Sequence, residues 1–237
     1  MKKINFQDII IFEDEDFIAI NKPYDVSTLD DRDQTRQNIL KMAKAYSADA
    51  RVCHRLDKET SGILMIAKNP EAYRHMSMQF ENREVIKIYH AVIEGTKKFD
   101  NLMVEKPILP LRDGTVRIDS EGKEAATIFN TLDVYNGYSL VACFPITGRM
   151  HQIRIHLASV GHPIIADSTY GGKDIFLSKL KRGFKLKKDT DEQPLIKRVA
   201  LHAHALTFKK MNGEELTINA PYPKDFAVLI KQLEINN

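Results

Sequence analysis

The chain has 237 residues, 43% hydrophobic and 28% charged, with 35 lysines and arginines against 32 aspartates and glutamates. That composition supplies one sizeable core and excludes a disordered tail protein. There is no apolar run of about 18 residues to span a membrane. Cys53 and Cys143 form no CxxC pair, and the apolar run after Lys2 and Lys3 is short and soon meets acids. Neither a disulfide framework nor a secretory leader is therefore expected, and a cytoplasmic monomer is.

The net charge of +3 hides an asymmetry. Residues 1–33 hold four basic and nine acidic side chains, a net of −5, whereas residues 173–198 hold nine basic and four acidic, a net of +5. Such a basic segment suits a polyanionic partner. Charge alone fits a solvated surface loop equally well.

In chain order, strands are expected at 9–12 and 17–20, joined by an acidic turn and closed by Pro23, which cannot continue a ladder. Residues 35–47 read as a helix and 63–67 as a short apolar strand. Asn69 followed by Pro70 opens a helix to about Glu81, and a strand follows at 85–93. Strands at 125–134 and 138–144 flank Asn136-Gly137, a hairpin signal. Thr147 is expected to cap a helix to Gly161 with Met150, Ile153, Leu157 and Val160 buried. Strands at 199–208 and 215–218 precede a last helix at 224–234. Hairpins with helices between them, and no βαβ alternation, predict an α+β fold on a mixed, mainly antiparallel sheet, in one domain over 1–237.

Three segments concentrate polar residues where chemistry could sit. In residues 53–62 (CHRLDKETSG) seven of ten are polar, and Asp57 lies between Arg55 and Lys58. Neighbouring positive charge favours a carboxylate's charged form, as a nucleophilic or basic aspartate requires. The same pattern fits a capping loop in which Asp57 or Thr60 satisfies backbone amides. In residues 147–156 (TGRMHQIRIH), Arg149, Gln152 and His156 would share one helical face. A cation in the first turn opposes the helix dipole, so Arg149 calls for an anionic partner; otherwise the face is simply exposed. On strand 85–93, Tyr89 is either an ordinary strand tyrosine or a ring on which a nucleobase stacks.

The histidine pairs His151/His156 and His202/His204 match no metal-ligand spacing. No phosphate-binding glycine loop or nucleophile elbow appears. No metal or other cofactor is expected.

The segments HRLDKETSGILMIAKN (54–69), KIYHAVIEG (87–95) and TGRMHQIRIHLASVGHPIIADSTYGG (147–172) closely resemble the RluA-type family of RNA pseudouridine synthases. IIIFEDEDFIAINKP (9–23) and LHAHALTF (201–208) extend the match over nearly the whole chain. The resemblance implies a catalytic domain with a central RNA-binding cleft, no cofactor, and isomerisation of a uridine in ribosomal or transfer RNA. The C1′–N1 bond breaks, the uracil turns, and a C1′–C5 bond forms. It further implies Asp57 as the catalytic aspartate, Arg149 as its ion-pair partner, and Tyr89 as the ring on the target base. Arg55 would fill the space of the flipped uridine, and Leu201 would pack beside the site. His54 and Arg154 are counted among the RNA contacts, with Lys181, Arg182, Lys185, Lys187 and Lys188 of the basic segment. Asp57 would attack C1′, attack the base, or take a ribose proton; the sequence leaves all three routes open.

The chain departs from the family pattern at Asp25 and Ala166, where glycine is frequent, and more mildly at Ile63 and Met150. The family hairpin begins by residue 9, so no N-terminal S4 domain is expected. Two other readings compete: a non-catalytic RNA-binding or ribosome-assembly module on the same fold, and a metal-dependent hydrolase using the histidines.

Overall fold

The computed structural model describes residues 4–30, 37–186 and 190–237. The chain runs through β1 (Ile10–Glu13), β2 (Phe17–Lys22), α1 (Ile39–Tyr46), β3 (Arg51–Val52), β4 (Ser61–Ala67) and α2 (Pro70–Glu81). It continues with β5 (Ile86–Glu94), β6 (Leu102–Glu105), the small hairpin β7 (Ile108–Pro110) and β8 (Val116–Ile118), and the long hairpin β9 (Ala126–Tyr135) and β10 (Tyr138–Pro145). Then come α3 (Gln152–Ser159), α4 (Leu177–Leu180), β11 (Leu201–Lys209), β12 (Glu215–Asn219) and α5 (Lys224–Ile235). Among the described residues no helix is long and apolar enough to cross a membrane. Two compact units emerge, Met1–Ile88 with His202–Pro221, and Tyr89–Leu201 with Tyr222–Asn237. The fold is α+β, as the sequence predicts.

In the first unit β4 is the hub. It pairs antiparallel with β2 along one edge, from Phe17↔Ala67 to Lys22↔Gly62, and on the other with β3 and, in parallel, β11. All of β4 is buried, which is why it reads as a continuous apolar run rather than an alternation. Gly62 is required where β4 meets β11. Its φ is +115°, and a Cβ would lie 2.2 Å from the Ala203 carbonyl oxygen. α2 starts as the sequence dictates: the Asn69 side chain accepts from the Ala72 amide and Pro70 takes the first helical position. It buries Ala72 and Met76 against Phe17, Met65 and Phe208. α1 begins at Ile39, capped by Asn38, whose Oδ1 accepts from the Lys41 amide at 2.9 Å. The first residues of the expected helix 35–47 lie outside the described residues.

In the second unit β5, β10, β9 and β6 are antiparallel neighbours, and the β9–β10 hairpin turns at Asn136-Gly137. Val92, Phe129, Val141 and Cys143 share a buried core with Ile153 and Leu157 of α3 and Phe226, Leu229 and Leu233 of α5. Truncating a fully buried aromatic such as Phe226 to alanine costs about 3–5 kcal/mol.

The expected N-cap of α3 is corrected. The helix begins at Gln152 with His151, at φ 52°, as its cap residue, and makes no side-chain cap. Thr147 is occupied elsewhere. Its hydroxyl donates to Gln152 Oε1 at 2.6 Å and accepts from the Ala126 amide at 3.1 Å. Arg149 therefore sits in the loop before the helix, not in its first turn. Of the expected stripe, Ile153 and Leu157 are core, while Met150 packs on the small cluster of Ile108, Val116 and Ala125.

Candidate active site

Asp57 lies in the first unit, in the connection from β3 to β4. The Thr60 amide donates to the Asp57 carbonyl at 3.1 Å, closing a turn over 57–60 directly before the buried β4. Residues on either side are gripped by the loop 22–28. Thr28 Oγ1 donates to the Leu56 carbonyl at 2.8 Å and accepts from the Leu56 amide at 3.2 Å. Lys22, fully buried, aims its ammonium at the carbonyls of Pro23 (2.9 Å), Val26 (3.0 Å) and Lys58 (3.3 Å). The Asp25 amide donates to the Lys58 carbonyl at 2.8 Å, and its carboxylate meets Lys58 Nζ at 3.2 Å. Arg55 is exposed one residue earlier than Leu56.

His54, expected to contact RNA, is bonded within the fold. Its Nε2 accepts from the Met65 amide at 3.1 Å, and its ring lies 5.0 Å from that of Phe80. Burial, reinforced by the Lys87 charge, pushes its pKa down to about 3. A neutral, internally bonded imidazole fixes the start of the turn and offers phosphate no charge. Cys53 beside it is held as a thiol, its pKa pushed up to about 12 by burial.

Tyr89 and Arg149 lie in the second unit. Tyr89 pairs with Cys143 across β5–β10 and is half-buried against the core. Arg149 is exposed, yet held at two points: its backbone amide donates to Gln152 Oε1 at 3.0 Å, and its side-chain Nε donates to the Glu124 carbonyl at 3.0 Å. The Nε bond leaves the guanidinium's terminal amino groups for another acceptor. Gln152 is saturated, because Nε2 donates to the Ala126 carbonyl and to Thr127 Oγ1, both at 2.9 Å. Thr127 in turn meets His156 Nδ1 at 3.0 Å, and His156 Nε2 lies 3.1 Å from the Lys106 carbonyl. Gln152 and His156 are thus buried anchors, not members of an exposed face with Arg149.

Arg154, also expected to contact RNA, is engaged inside the second unit. It is 4% exposed and makes two bonds of 2.7 Å to Asp167. Tyr170 covers it, with the ring centroid 5.1 Å from the guanidinium carbon. Leu201 is buried, and its carbonyl accepts from Arg198 Nη1 at 3.0 Å while Arg198 holds Asp225. That pair removes Arg198 from the surface charge of the basic segment. The segment is tied down at both ends by buried Ile175 and Ile196, and Glu192 accepts from the Ser178 amide and hydroxyl. Lys181, Arg182 and Lys185 are exposed between these ties; Lys187 and Lys188 lie outside the described residues.

The sequence pattern did not single out Thr28, Lys22, Gln152 or Asp167 as anchors. Each is a polar side chain next to apolar ones, and only three-dimensional partners distinguish it from a surface residue. The histidines prove to be bridges: His202 spans from Ser61 Oγ (2.9 Å) to the Ala220 carbonyl (3.2 Å), and His151 meets the Tyr170 hydroxyl at 2.8 Å. Among the described residues no three His, Cys, Asp or Glu side chains gather where a metal could be held.

Residues 16–159 match the family described as RNA pseudouridylate synthase, a span that includes Asp57, Tyr89 and Arg149. A ribosomal large subunit pseudouridine synthase C of Vibrio vulnificus is 31% identical over 98% of this chain and 71% of its own length. An uncharacterised RNA pseudouridine synthase of Zymomonas mobilis is 32% identical over 93% of this chain and 96% of its own. Among solved structures, human RNA pseudouridylate synthase domain containing 4 shares the fold, with a TM-score of 0.73 at 24% identity over 97% of this chain and 94% of its own. Human RNA pseudouridylate synthase domain containing 1 aligns with a TM-score of 0.68 at 26% identity, over 94% and 87%. The chain belongs to the RNA pseudouridine synthases, in the RluA-type family. It is an isomerase that converts uridine in RNA to pseudouridine.

Proposed function

We propose that Asp57 is the catalytic carboxylate, Arg149 its charged partner, and Tyr89 the ring against which the target uracil stacks, with the substrate in large-subunit ribosomal RNA. The observation that carries the reading is that all three residues fall within the span matched to the family. The ribosomal assignment rests on the relatives named for the large subunit. A uridine inside a stacked helix cannot present C1′ and C5 to a protein group, so it is extruded at a cost of a few kcal/mol. Arg55, two residues before Asp57, fills the vacated stack while the carboxylate meets the nucleotide. Leu201 packs beside the freed uracil until it recouples. The reading takes 1–237 as a single catalytic domain. It acts as a monomer in the cytoplasm.

The test is pseudouridine formation by the purified protein and by Asp57→Asn, with modification maps of ribosomal and transfer RNA from cells with and without the gene. Asp57→Asn removes a charge at constant volume, and it should fold, bind RNA and yield no product. Clear turnover by that variant overturns the role of Asp57. A site lost from transfer RNA alone overturns the ribosomal assignment.

A further inference from the structure

Asp57 stands in a connection without regular structure, yet the reaction demands that its carboxylate be held to a fraction of an ångström. Downstream, β4 fixes the backbone only from Ser61. Upstream, β3 ends at Val52. Between them, the peptide groups flanking Asp57 are fastened to one loop, residues 22–28. That loop is itself anchored: β2 runs to Lys22, and the amides of Ile39 and Leu40, opening α1, donate to the Ser27 and Thr28 carbonyls at 3.0 and 3.1 Å.

The Thr28 hydroxyl binds both the amide and the carbonyl of Leu56. Both residues are buried, with Thr28 4% and Leu56 7% exposed. A hydroxyl is a strong donor and acceptor through a single atom. Valine has the same shape and neither function, so it would leave the Leu56 amide and carbonyl buried without this partner. Lys22 and Asp25 hold the Lys58 carbonyl on the far side, so Thr28 controls the upstream side.

We propose that Thr28 is a positioning residue for catalysis, setting the carboxylate of Asp57 through the backbone of Leu56; this rests on the assignment of Asp57 above. The test compares Thr28→Val and Thr28→Ser with the unaltered protein in kcat, KM and hydrogen exchange at the Leu56 amide. In Thr28→Val the Leu56 amide should exchange faster while amides of β4 keep their protection. Its kcat should fall by about tenfold to a hundredfold, with KM for RNA nearly unchanged. Thr28→Ser should restore both protection and kcat. Wild-type kcat in a Thr28→Val protein whose Leu56 amide is deprotected overturns the proposal. So does a loss that Thr28→Ser fails to rescue, which would make shape rather than the hydroxyl decisive, or a loss confined to KM. Should Asp57→Asn prove active, the catalytic assignment falls, while the exchange result still reports whether Thr28 holds Leu56.

Discussion

Arg154 and Asp167 form a twofold ion pair, Nε to Oδ2 and Nη2 to Oδ1 at 2.7 Å each, with 4% and 0% of the two side chains exposed. The Asp167 carbonyl accepts from the Tyr170 and Gly172 amides, so the pair ties α3 to the turn at 167–172. Removing one partner strands a buried charge and should cost about 3–5 kcal/mol. Asp167→Ala and Arg154→Leu should each be destabilised by that much in urea unfolding, and the double variant by less than their sum. A loss below about 1 kcal/mol would deny the pair its structural role.

Ala166, beside that aspartate, has φ 59°, and Asp25 has φ 63°. Both stand where the family often has glycine, and the left-handed backbone explains why. Aspartate tolerates this region and gains an ion pair with Lys58. Alanine has no side-chain bond or ion pair to offset the strain, only the packing of its methyl against the core. Ala166→Gly trades strain of about 1–2 kcal/mol against the greater freedom of an unfolded glycine. The expected outcome is a gain of up to about 1 kcal/mol in urea unfolding; a measurable loss would show that the alanine methyl contributes more packing than its backbone costs.

How far the sequence could be read depended on the range of the interactions. α2 was predictable to the residue because its start signals, Asn69 and Pro70, are local. The β9–β10 hairpin was predictable because Asn136-Gly137 sets its own turn. α3 starts later than Thr147 suggests because Thr147, a good cap by type, is claimed by Ala126 and Gln152 through tertiary contacts. The same range separates the candidate site residues. Arg154 and His54 look like nucleic-acid contacts in a motif, and their bonds to Asp167 and Met65 and the packing of His54 on Phe80 come from the fold. Nothing in the run 22–28 announced that Thr28 faces Leu56.

His54 gives the fold a directional pH response. Unfolded, it takes a proton near the ordinary histidine value of about 6.5; folded, it resists until about 3. Between these values the unfolded chain binds more protons, so the stabilisation is complete above the unfolded value and is lost as pH falls towards 3. One such group contributes up to about 1.4 kcal/mol per pH unit. His156, also held down by burial, adds in the same direction. Urea unfolding between about pH 7 and about pH 5 should show a steeper loss for the unaltered protein than for His54→Gln. Parallel pH profiles would mean that His54 is not kept neutral by the fold.

The basic segment supplies the last test. Lys181, Arg182 and Lys185 are exposed on a stretch held at both ends by Ile175 and Ile196, so their charge is presented from an anchored base. Arg198 is excluded because Asp225 and two carbonyls occupy its guanidinium. Exposed lysines and arginines without base-reading geometry grip phosphate, which sets affinity rather than sequence choice. Removing one cation that neutralises a phosphate lowers the log–log salt slope by about 0.7–0.9. Changing Lys181, Arg182 and Lys185 together to glutamine should therefore raise the Kd for RNA and flatten its log–log salt slope by about 2–3. Under the proposed assignment, product formation per bound RNA should follow Asp57 and Arg149 instead. The readout is RNA binding across a salt series beside a single-turnover rate at saturating protein. Unchanged slope and affinity would mean the segment faces solvent only, and the grip on RNA would have to come from other basic residues of the chain.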